Sequence, residues 1–304
     1  MANDESHDTR TTVPEDRVAE AVSLSVAGVT GSEGRTNPNR LFTFDINARG
    51  TTSGVRVADS SGKINGKDVF QGDAFNTYYS DEVLFNGDNT IKMSVASGNT
   101  GFGSFGGTIN LGTYPNGAIL FHGDELWIRS RIYLPAGFEY NLQGRNKFLR
   151  LRVFHEENGA AVSEGYNDLY IDGSDPNGSP WAFIFEGRQQ WLVLGTGPGD
   201  ALEIGKWHTI EMHLVLDNLK GSEGGSALVQ VWFDDRLLGE SSERATLKQV
   251  DSYMSFFYYF TYWDNLGAHR DTDVFIESIV MTSEKPLNVD AAGNHYLGKN
   301  GGPN

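Results

Sequence analysis

Four side chains of one predicted strand combine positive charge with aromatic rings. Successive side chains of a β-strand point to opposite sides of the sheet, so residues 126–134 divide into two faces. One face is apolar, and the other carries Trp127, Arg129, Arg131 and Tyr133. A guanidinium group can bind a carboxylate or sulfate through two hydrogen bonds, and an aromatic ring can stack on a sugar ring.

A second predicted strand, residues 147–155, repeats this order of residue types. Its leucine and valine side chains share one face, and Phe148, Arg150, Arg152 and Phe154 share the other. If both strands face one groove, their arginines can hold the carboxylates of an acidic polysaccharide while their rings stack on its sugars. We therefore predict that these eight side chains bind such a polymer.

Ion pairing within the sheets is the competing interpretation of the arginines. Asp168, Glu186 and Glu211 lie in or next to other predicted strands, where they could pair with arginine across the sheet. Such structural networks are common in acidic proteins. The repeated order of residue types favours binding, but it leaves both interpretations open.

Proton transfer, if the protein is an enzyme, is predicted at a few tyrosine and histidine side chains. Tyr258 and Tyr259 lie in a strand that is aromatic on both faces, as expected if one side packs on a core and the other lines a groove. His213 shares a predicted face with Glu211, and His155 ends the second arginine strand. Any of these groups could act as an acid or base. The competing interpretation is packing for the tyrosines and an outer, hydrogen-bonded face for His213.

Short strands separated by turns dominate the chain after residue 40. Apolar and polar residues alternate with a period of two, and glycine-rich and asparagine-rich clusters interrupt them. This pattern predicts an all-β protein, specifically a two-sheet antiparallel β-sandwich of the jelly-roll type. Residues 39–304 are expected to form one domain. Residues 1–38 are expected to be a polar N-terminal arm, through which a homo-oligomer could assemble.

Composition excludes several classes of partner and site. The 304 residues carry a formal net charge of −16, which argues against nucleic acid and anionic membranes as partners. The chain has no cysteine, so disulfides and thiolate metal sites are excluded. No metal site or cofactor is predicted apart from calcium, for which the loop at residues 172–178 offers oxygen donors. An ordinary turn is the competing interpretation of that loop.

Several sequence runs resemble concanavalin-like jelly-roll proteins related to polysaccharide lyases. They are GDELWIR at 123–129, PAGF at 135–138, KFLR at 147–150, GKWHTIE at 205–211 and VQVWFDD at 229–235. Asp235 replaces the glycine that is usual at the end of the last run, and the resemblance extends over residues 100–298. It implies the fold described above. The Tyr-x-Lys-x-Gly strand of such lyases is absent, and Tyr258 to Phe260 stand where some relatives carry paired glycines.

The resemblance also implies a class of activity. Such lyases cut uronic-acid polymers by β-elimination, with a neutralising Asn, Gln or Arg and a Tyr or His that moves the proton. We therefore expect a carbohydrate-binding protein that acts on an acidic polysaccharide, or a lyase of this kind. The alternative is a non-enzymatic surface protein, such as a virion decoration or filament subunit. The start of the chain does not resemble a signal peptide, and an extracellular or virion-surface location is expected.

Overall fold

The fold is known from a computed structural model, which describes residues 41–57, 76–101, 105–112, 119–139, 145–172, 180–195, 198–218, 225–263 and 267–299. These residues form β-strands, turns and one single-turn 3-10 helix, Pro198–Asp200. Among them, no helix is long and apolar enough to cross a membrane. The predicted N-terminal arm and most of the predicted calcium loop lie outside the described residues.

Eight strands form the larger of two antiparallel sheets. Its spatial order is β12-β11-β10-β5-β14-β3-β2, and β1 also pairs with β14. These strands are β1 (Thr43–Asn47), β2 (Thr77–Phe85), β3 (Asp88–Val95), β5 (Glu125–Tyr133), β10 (Trp207–Val215), β11 (Ala227–Phe233), β12 (Arg236–Arg244) and β14 (Thr272–Thr282).

Six strands form the smaller sheet, in the order β4-β13-β6-β7-β8-β9. They are β4 (Gly107–Asn110), β6 (Arg145–Glu157), β7 (Ala160–Asp172), β8 (Trp181–Phe185), β9 (Gln190–Leu194) and β13 (Tyr253–Trp263). A short hairpin of β15 (Asn288–Val289) and β16 (His295–Tyr296) follows near the C-terminus. The predicted two-sheet antiparallel sandwich is confirmed.

The apolar faces of the two sheets form one core. Ile128 and Ile132 of β5 belong to the same buried cluster as Leu151 of β6 and Phe257 of β13. This alternation follows the predicted period of two, since residues two apart on a strand share a face. The opposite, outer faces of the two sheets are therefore the places where polar side chains can form a site.

A bulge in β6 changes which side chains face outward. The pairing of β6 with β7 shifts register between Lys147 and Leu149, and Phe148 lies fully buried in the core. Its ring packs 4.9 Å from that of Tyr259 and 6.0 Å from that of Trp181. The prediction that Phe148 binds a sugar ring on the outer face is therefore wrong, because an extra residue in a strand reverses the alternation.

Candidate functional site

The two arginine strands lie in different sheets. The strand with Arg129 and Arg131 is β5 of the larger sheet, whereas the strand with Arg150 and Arg152 is β6 of the smaller sheet. Both sets of arginines are on outer faces, and the outer faces of a two-layer sandwich point away from each other. The predicted single groove that both strands would share is therefore wrong.

The outer face of β5 is covered by a segment that we call the C-terminal strap, residues 288–299. The indole Nε1 of Trp127 donates a 3.0 Å hydrogen bond to the carbonyl of His295. Arg129 donates from Nη1 to the carbonyl of Gly298 at 2.9 Å, and its side chain is buried. Both predicted sugar-binding side chains are thus occupied by the protein's own backbone.

Glu211 of β10 anchors the same strap. Its carboxylate accepts hydrogen bonds from the backbone N–H groups of Leu297 and Gly298, at 2.5 and 2.9 Å. Burial raises the pKa of Glu211 to about 7, even though these two N–H groups and Arg129 favour the ionised form. The acidic side chain predicted to pair with arginine is therefore a structural acceptor on this face.

Arg131 and Tyr133 also make internal contacts on the larger sheet. Arg131 lies 3.2 Å from Glu277 and places its guanidinium 4.6 Å from the ring centre of Phe85. The ring of Tyr133 packs 5.4 Å from that of Trp207. These contacts support the ion-pairing and packing interpretations, and they give no support to sugar binding by β5.

His213 stacks on Trp127 beneath the strap region. The two rings are 4.2 Å apart and nearly parallel, and Nδ1 of His213 lies 2.9 Å from Oε1 of Gln230. Burial lowers the pKa of His213 to about 4. His213 lies on the outer face of the larger sheet, which the strap covers. A polymer bound at β6 would lie on the opposite side of the sandwich. The prediction that His213 transfers a proton is therefore wrong.

The outer face of the smaller sheet carries a dense group of charged and aromatic side chains. We call it the basic cluster, since three of its members are cationic and two are anionic. It consists of Lys147, Arg150, Arg152, Tyr166, Asp168, Tyr170, Glu186, Phe256, Tyr258 and Tyr262. Most of these side chains are at least nine-tenths buried, and Glu186, Phe256 and Tyr262 are more exposed.

Register across three strands positions the centre of the basic cluster. Tyr258 of β13 is the direct cross-strand partner of Arg150 in β6, and Arg150 is in turn the partner of Asp168 in β7. Directly opposed residues on one face have Cβ atoms about 5 Å apart. The sequence separates these three residues by up to about a hundred positions, so only strand pairing brings them together.

Arg150 is held by a carboxylate and by aromatic rings. Its Nε donates to Oδ1 of Asp168 at 2.9 Å, and its Nη2 lies 3.8 Å from Glu186. The guanidinium also lies 3.9 Å from the ring centre of Tyr166 and 5.5 Å from that of Tyr262. Burial lowers the pKa of Arg150, but the charge and hydrogen bond of Asp168, together with the effects of Tyr166 and Glu186, more than offset this, so the pKa is raised. The predicted ion pair with Asp168 is confirmed.

Lys147 is a cluster member that sequence reasoning missed. Its ammonium lies 2.7 Å from Oε1 of Glu186, 3.6 Å from Oδ2 of Asp168 and 4.6 Å from the ring centre of Tyr262. Strict alternation had placed Phe148 on this face, and the bulge puts Lys147 there instead. The only sequence signal for Lys147 was its place at the start of a strand that contains two arginines. That signal could not reveal the bulge.

Glu186 is placed beside Lys147 by a close approach of two backbones. Its N–H donates to the carbonyl of Tyr166 at 2.9 Å, and a Cβ at Gly187 would lie only 2.6 Å from the carbonyl of Glu164. Glycine is therefore required at position 187. Burial and the nearby charge of Asp168 raise the pKa of Glu186 to about 7, against the opposing effect of Lys147.

Tyr258 and Tyr259 have opposite environments. The ring of Tyr258 lies in the basic cluster, 5.6 Å from that of Tyr166. Tyr259 points between the sheets, where its hydroxyl lies 2.5 Å from Oγ of Ser130 in β5. Burial raises the pKa of Tyr259 well above its usual value. The prediction that Tyr259 transfers a proton is wrong, since a polymer cannot reach the core, whereas Tyr258 stays a candidate.

Arg152 and Phe154 continue the outer face along β6. Arg152 donates from Nε to Oγ of Ser163 at 3.0 Å, and its guanidinium lies 4.9 Å from the ring centre of Phe154. His155, the next residue, forms a separate polar group in which Nδ1 lies 3.0 Å from Oε1 of Glu164. A binding role for Arg152 and Phe154 stays a prediction. The partner of His155, Glu164, is not a member of the basic cluster, and proton transfer by His155 stays a prediction.

No metal centre is evident in the part of the chain that the structure describes. Within it, no group of three or more histidine, aspartate and glutamate side chains could hold a metal ion. Asp168 and Glu186 lie next to Lys147 and Arg150. The positive charges of these two side chains would repel a metal ion bound to the carboxylates. Calcium binding by the loop at residues 172–178 stays a prediction.

Comparisons with solved structures identify the fold. The sequence matches no protein-family model, and a search of curated proteins finds no similar sequence. A marine alginate lyase from Aplysia kurodai is 11% identical with a TM-score of 0.51, and the match covers 78% of this chain and 97% of the lyase. A double mutant of another alginate lyase, in complex with an alginate tetrasaccharide, is 10% identical with a TM-score of 0.51, over 79% of this chain and 96% of that one. The chain therefore has the two-sheet jelly-roll fold found in polysaccharide lyases, as the sequence resemblance predicted.

Proposed function

We propose that this protein is a polysaccharide lyase that binds a uronate-containing polymer at the basic cluster and cleaves it by β-elimination. The observation that carries the proposal is the concentration of Lys147, Arg150 and Arg152 among tyrosine rings on one sheet face. The whole chain has a net charge of −16, so this local excess of cations is the feature that suits an acidic ligand.

The fold supports the same class of substrate. Two proteins with this fold are alginate lyases, and one of them was solved with an alginate tetrasaccharide. Fold by itself does not define activity. The proposal therefore depends on the chemistry that the basic cluster can perform.

A β-elimination requires a base, an acid and a neutralising positive charge. The base removes the proton on the carbon next to the uronate carboxylate, and that electron pair forms a carbon–carbon double bond. The bond from the adjacent carbon to the glycosidic oxygen breaks, and the leaving oxygen takes up a proton. Negative charge develops on the carboxylate during the first step, so preorganised cations lower the barrier.

Members of the basic cluster can fill these roles. Lys147 and Arg152 are the cations that we assign to the uronate carboxylate, because both keep some exposed surface, whereas Arg150 is fully buried and paired with Asp168. Arg150 then acts as a positioning residue that holds Asp168 and the ring of Tyr166 in place. Tyr258, the cross-strand neighbour of Arg150, is the hydroxyl that we assign to proton transfer.

The alternative of a structural surface subunit has less support. It depended on a docking arm at residues 1–38, which lies outside the described residues. No observation on the described residues calls for an assembly role, whereas the basic cluster calls for an anionic ligand. The lyase is therefore the function that we test.

Replacing Tyr258 by phenylalanine tests the proposed chemistry. The wild-type protein is incubated with alginate, glucuronan and heparin-type polymers, and the ultraviolet absorbance of the unsaturated product is followed. Tyr258→Phe removes only the hydroxyl, so we expect its kcat to fall by at least about a hundredfold, as for loss of a general acid or base.

Tyr133→Phe is the matched control for this experiment. It removes a tyrosine hydroxyl from the outer face of the opposite sheet, so its kcat should equal that of the wild type. A wild type that is inactive on every uronate polymer would refute the lyase proposal. An active Tyr258→Phe variant would refute only the role of Tyr258.

A further inference from the structure

An exposed tryptophan lies at the far edge of the sheet that carries the basic cluster. Trp191 and Val193 of edge strand β9 are 37% and 59% exposed, although both are large apolar side chains. The intervening Leu192 and the following Leu194 turn toward the core. Trp191 and Val193 therefore share the outer face of the smaller sheet.

Strand register connects Trp191 with the basic cluster. Arg150 pairs with Asp168, Asp168 pairs with Ile184, and Ile184 pairs with Trp191. Trp191 is thus on the same cross-strand row as Arg150, three strand spacings away. At about 4.8 Å for each spacing, this distance is about 14 Å. A sugar ring bound over Arg150 and Tyr258 cannot also contact Trp191, so the two positions would bind different sugars of one polymer.

Two side chains that lie between Trp191 and the basic cluster, or belong to the cluster, contact the ring of Trp191. The guanidinium of Arg145, at the start of β6, lies 4.4 Å from its ring centre, and the ring of Tyr170 lies 5.5 Å away. Tyr170 is itself a member of the basic cluster. The exposed apolar surface is therefore continuous with the cluster, and a cation stands beside it.

Backbone contacts fix the position of this edge. Arg244 donates from Nη1 to the carbonyl of Trp191 at 2.8 Å, and the backbone N–H of Ala245 donates to the side chain of Gln190 at 2.8 Å. Because Arg244 binds the carbonyl of Trp191, this carbonyl is not available to pair with a strand of another molecule. The outward side of the Trp191 ring stays open to a ligand.

We propose that Trp191 and Arg145, next to Tyr170 of the basic cluster, form a second sugar-binding position for the same uronate polymer, which crosses the strands from β6 to β9. The indole would pack on the apolar face of a sugar ring, and Arg145 would attract its carboxylate. This inference rests on the proposed function, and it adds the direction of the polymer. It also predicts that the protein prefers long substrates.

Chain-length dependence tests this position. Binding is measured in the Tyr258→Phe background, so that cleavage does not interfere, with long alginate or glucuronan and with the matching disaccharides. Trp191→Ala should weaken binding of the polymer about tenfold, the typical effect of truncating a central aromatic contact. Binding of the disaccharide, which occupies the basic cluster alone, should be unchanged.

Two further variants separate a contact from a change in folding. Trp191→Phe keeps an aromatic face and should recover most of the affinity for the polymer. Trp207→Ala removes a tryptophan from the outer face of the larger sheet and should bind the polymer like its parent. Thermal unfolding of each variant shows whether the fold is intact.

The outcomes distinguish this inference from the proposed function. If Trp191→Ala binds the long polymer as well as its parent does, the second position is refuted and the lyase proposal is untouched. The same follows if the affinity for the disaccharide falls equally. If neither the wild type nor the Tyr258→Phe parent binds any uronate polymer, both proposals fail.

Discussion

Glu186 is the group in the proposed site whose charge changes near neutral pH. Its pKa of about 7 arises from burial and from the charge of Asp168, and Lys147 is its closest cation. A bound uronate would compete with Glu186 for that cation. The ionised glutamate therefore opposes a polyanion, whereas the protonated glutamate leaves Lys147 available.

Polymer binding should accordingly weaken as pH rises through about 7. If the polymer binds only the form with Glu186 protonated, the affinity falls by up to about tenfold between pH 6 and pH 8. Glu186→Gln should remove this dependence and keep high affinity at pH 8. Glu82→Gln, on the larger sheet, is the control and should keep the wild-type profile. A profile that is unchanged in Glu186→Gln would contradict the proposed competition.

The same pKa has a consequence for stability. A glutamate whose pKa is higher in the folded state than in the unfolded state favours folding below the unfolded value. That contribution is lost as the pH rises through the folded value. For Glu186 the window runs from the ordinary pKa of 4.5 to about 7. Polymer binding and the free energy of unfolding should therefore both decrease over overlapping pH ranges. Only the change in unfolding free energy that the bound polymer causes reports on the site.

At the scale of elements, the C-terminal strap decides which sheet face is available. It satisfies the side chains of Trp127, Arg129 and Glu211 with its own backbone groups. A face occupied in this way cannot also bind a polymer. The strap thus leaves the outer face of the smaller sheet as the place for the proposed site.

Removing the Glu211 carboxylate should release the strap without affecting the site. Glu211→Ala leaves the N–H groups of Leu297 and Gly298 without their acceptor, which should cost about 2–3 kcal/mol of stability. Hydrogen exchange at these two amides should accelerate, and polymer binding should not change. Glu243→Ala, at an exposed position of β12, is the control for both measurements. Slow exchange in Glu211→Ala would show that other contacts hold the strap.

At the scale of the whole molecule, a buried polar contact joins the two sheets. The hydroxyls of Ser130 in β5 and Tyr259 in β13 lie 2.5 Å apart, and both side chains are buried. Each hydroxyl satisfies the other, so the pair aligns one strand of each sheet. This contact explains why Tyr259 is a structural residue although Tyr258 belongs to the site.

Deleting one hydroxyl of this pair should destabilise the sandwich. Tyr259→Phe leaves the Ser130 hydroxyl buried without its partner, so the free energy of unfolding in urea should fall by about 1–3 kcal/mol. Adding Ser130→Ala should recover part of the loss, because both polar groups are then gone. The kcat should be unchanged. A stable but inactive Tyr259→Phe variant would contradict this assignment.

Much of the fold could be predicted from the sequence, because the inward or outward direction of a side chain is a local property of a strand. The period of two correctly placed the apolar side of β5 in the core and Arg150 and Arg152 on an outer face. The ion pair of Arg150 with Asp168 was one of two interpretations left open, and it is confirmed. The second candidate interpretation, one groove shared by β5 and β6, was wrong.

Only the tertiary structure decided which strands are neighbours. Strand pairing depends on contacts between residues far apart in the chain, and alternation is the same whichever sheet a strand joins. The bulge that exchanges Phe148 for Lys147 and the strap that covers Trp127 are likewise decided by long-range packing. The sequence by itself therefore determined the two-layer architecture and the residue types of each face. The assembled sandwich decided which face could hold an acidic polymer, because that depends on what covers it.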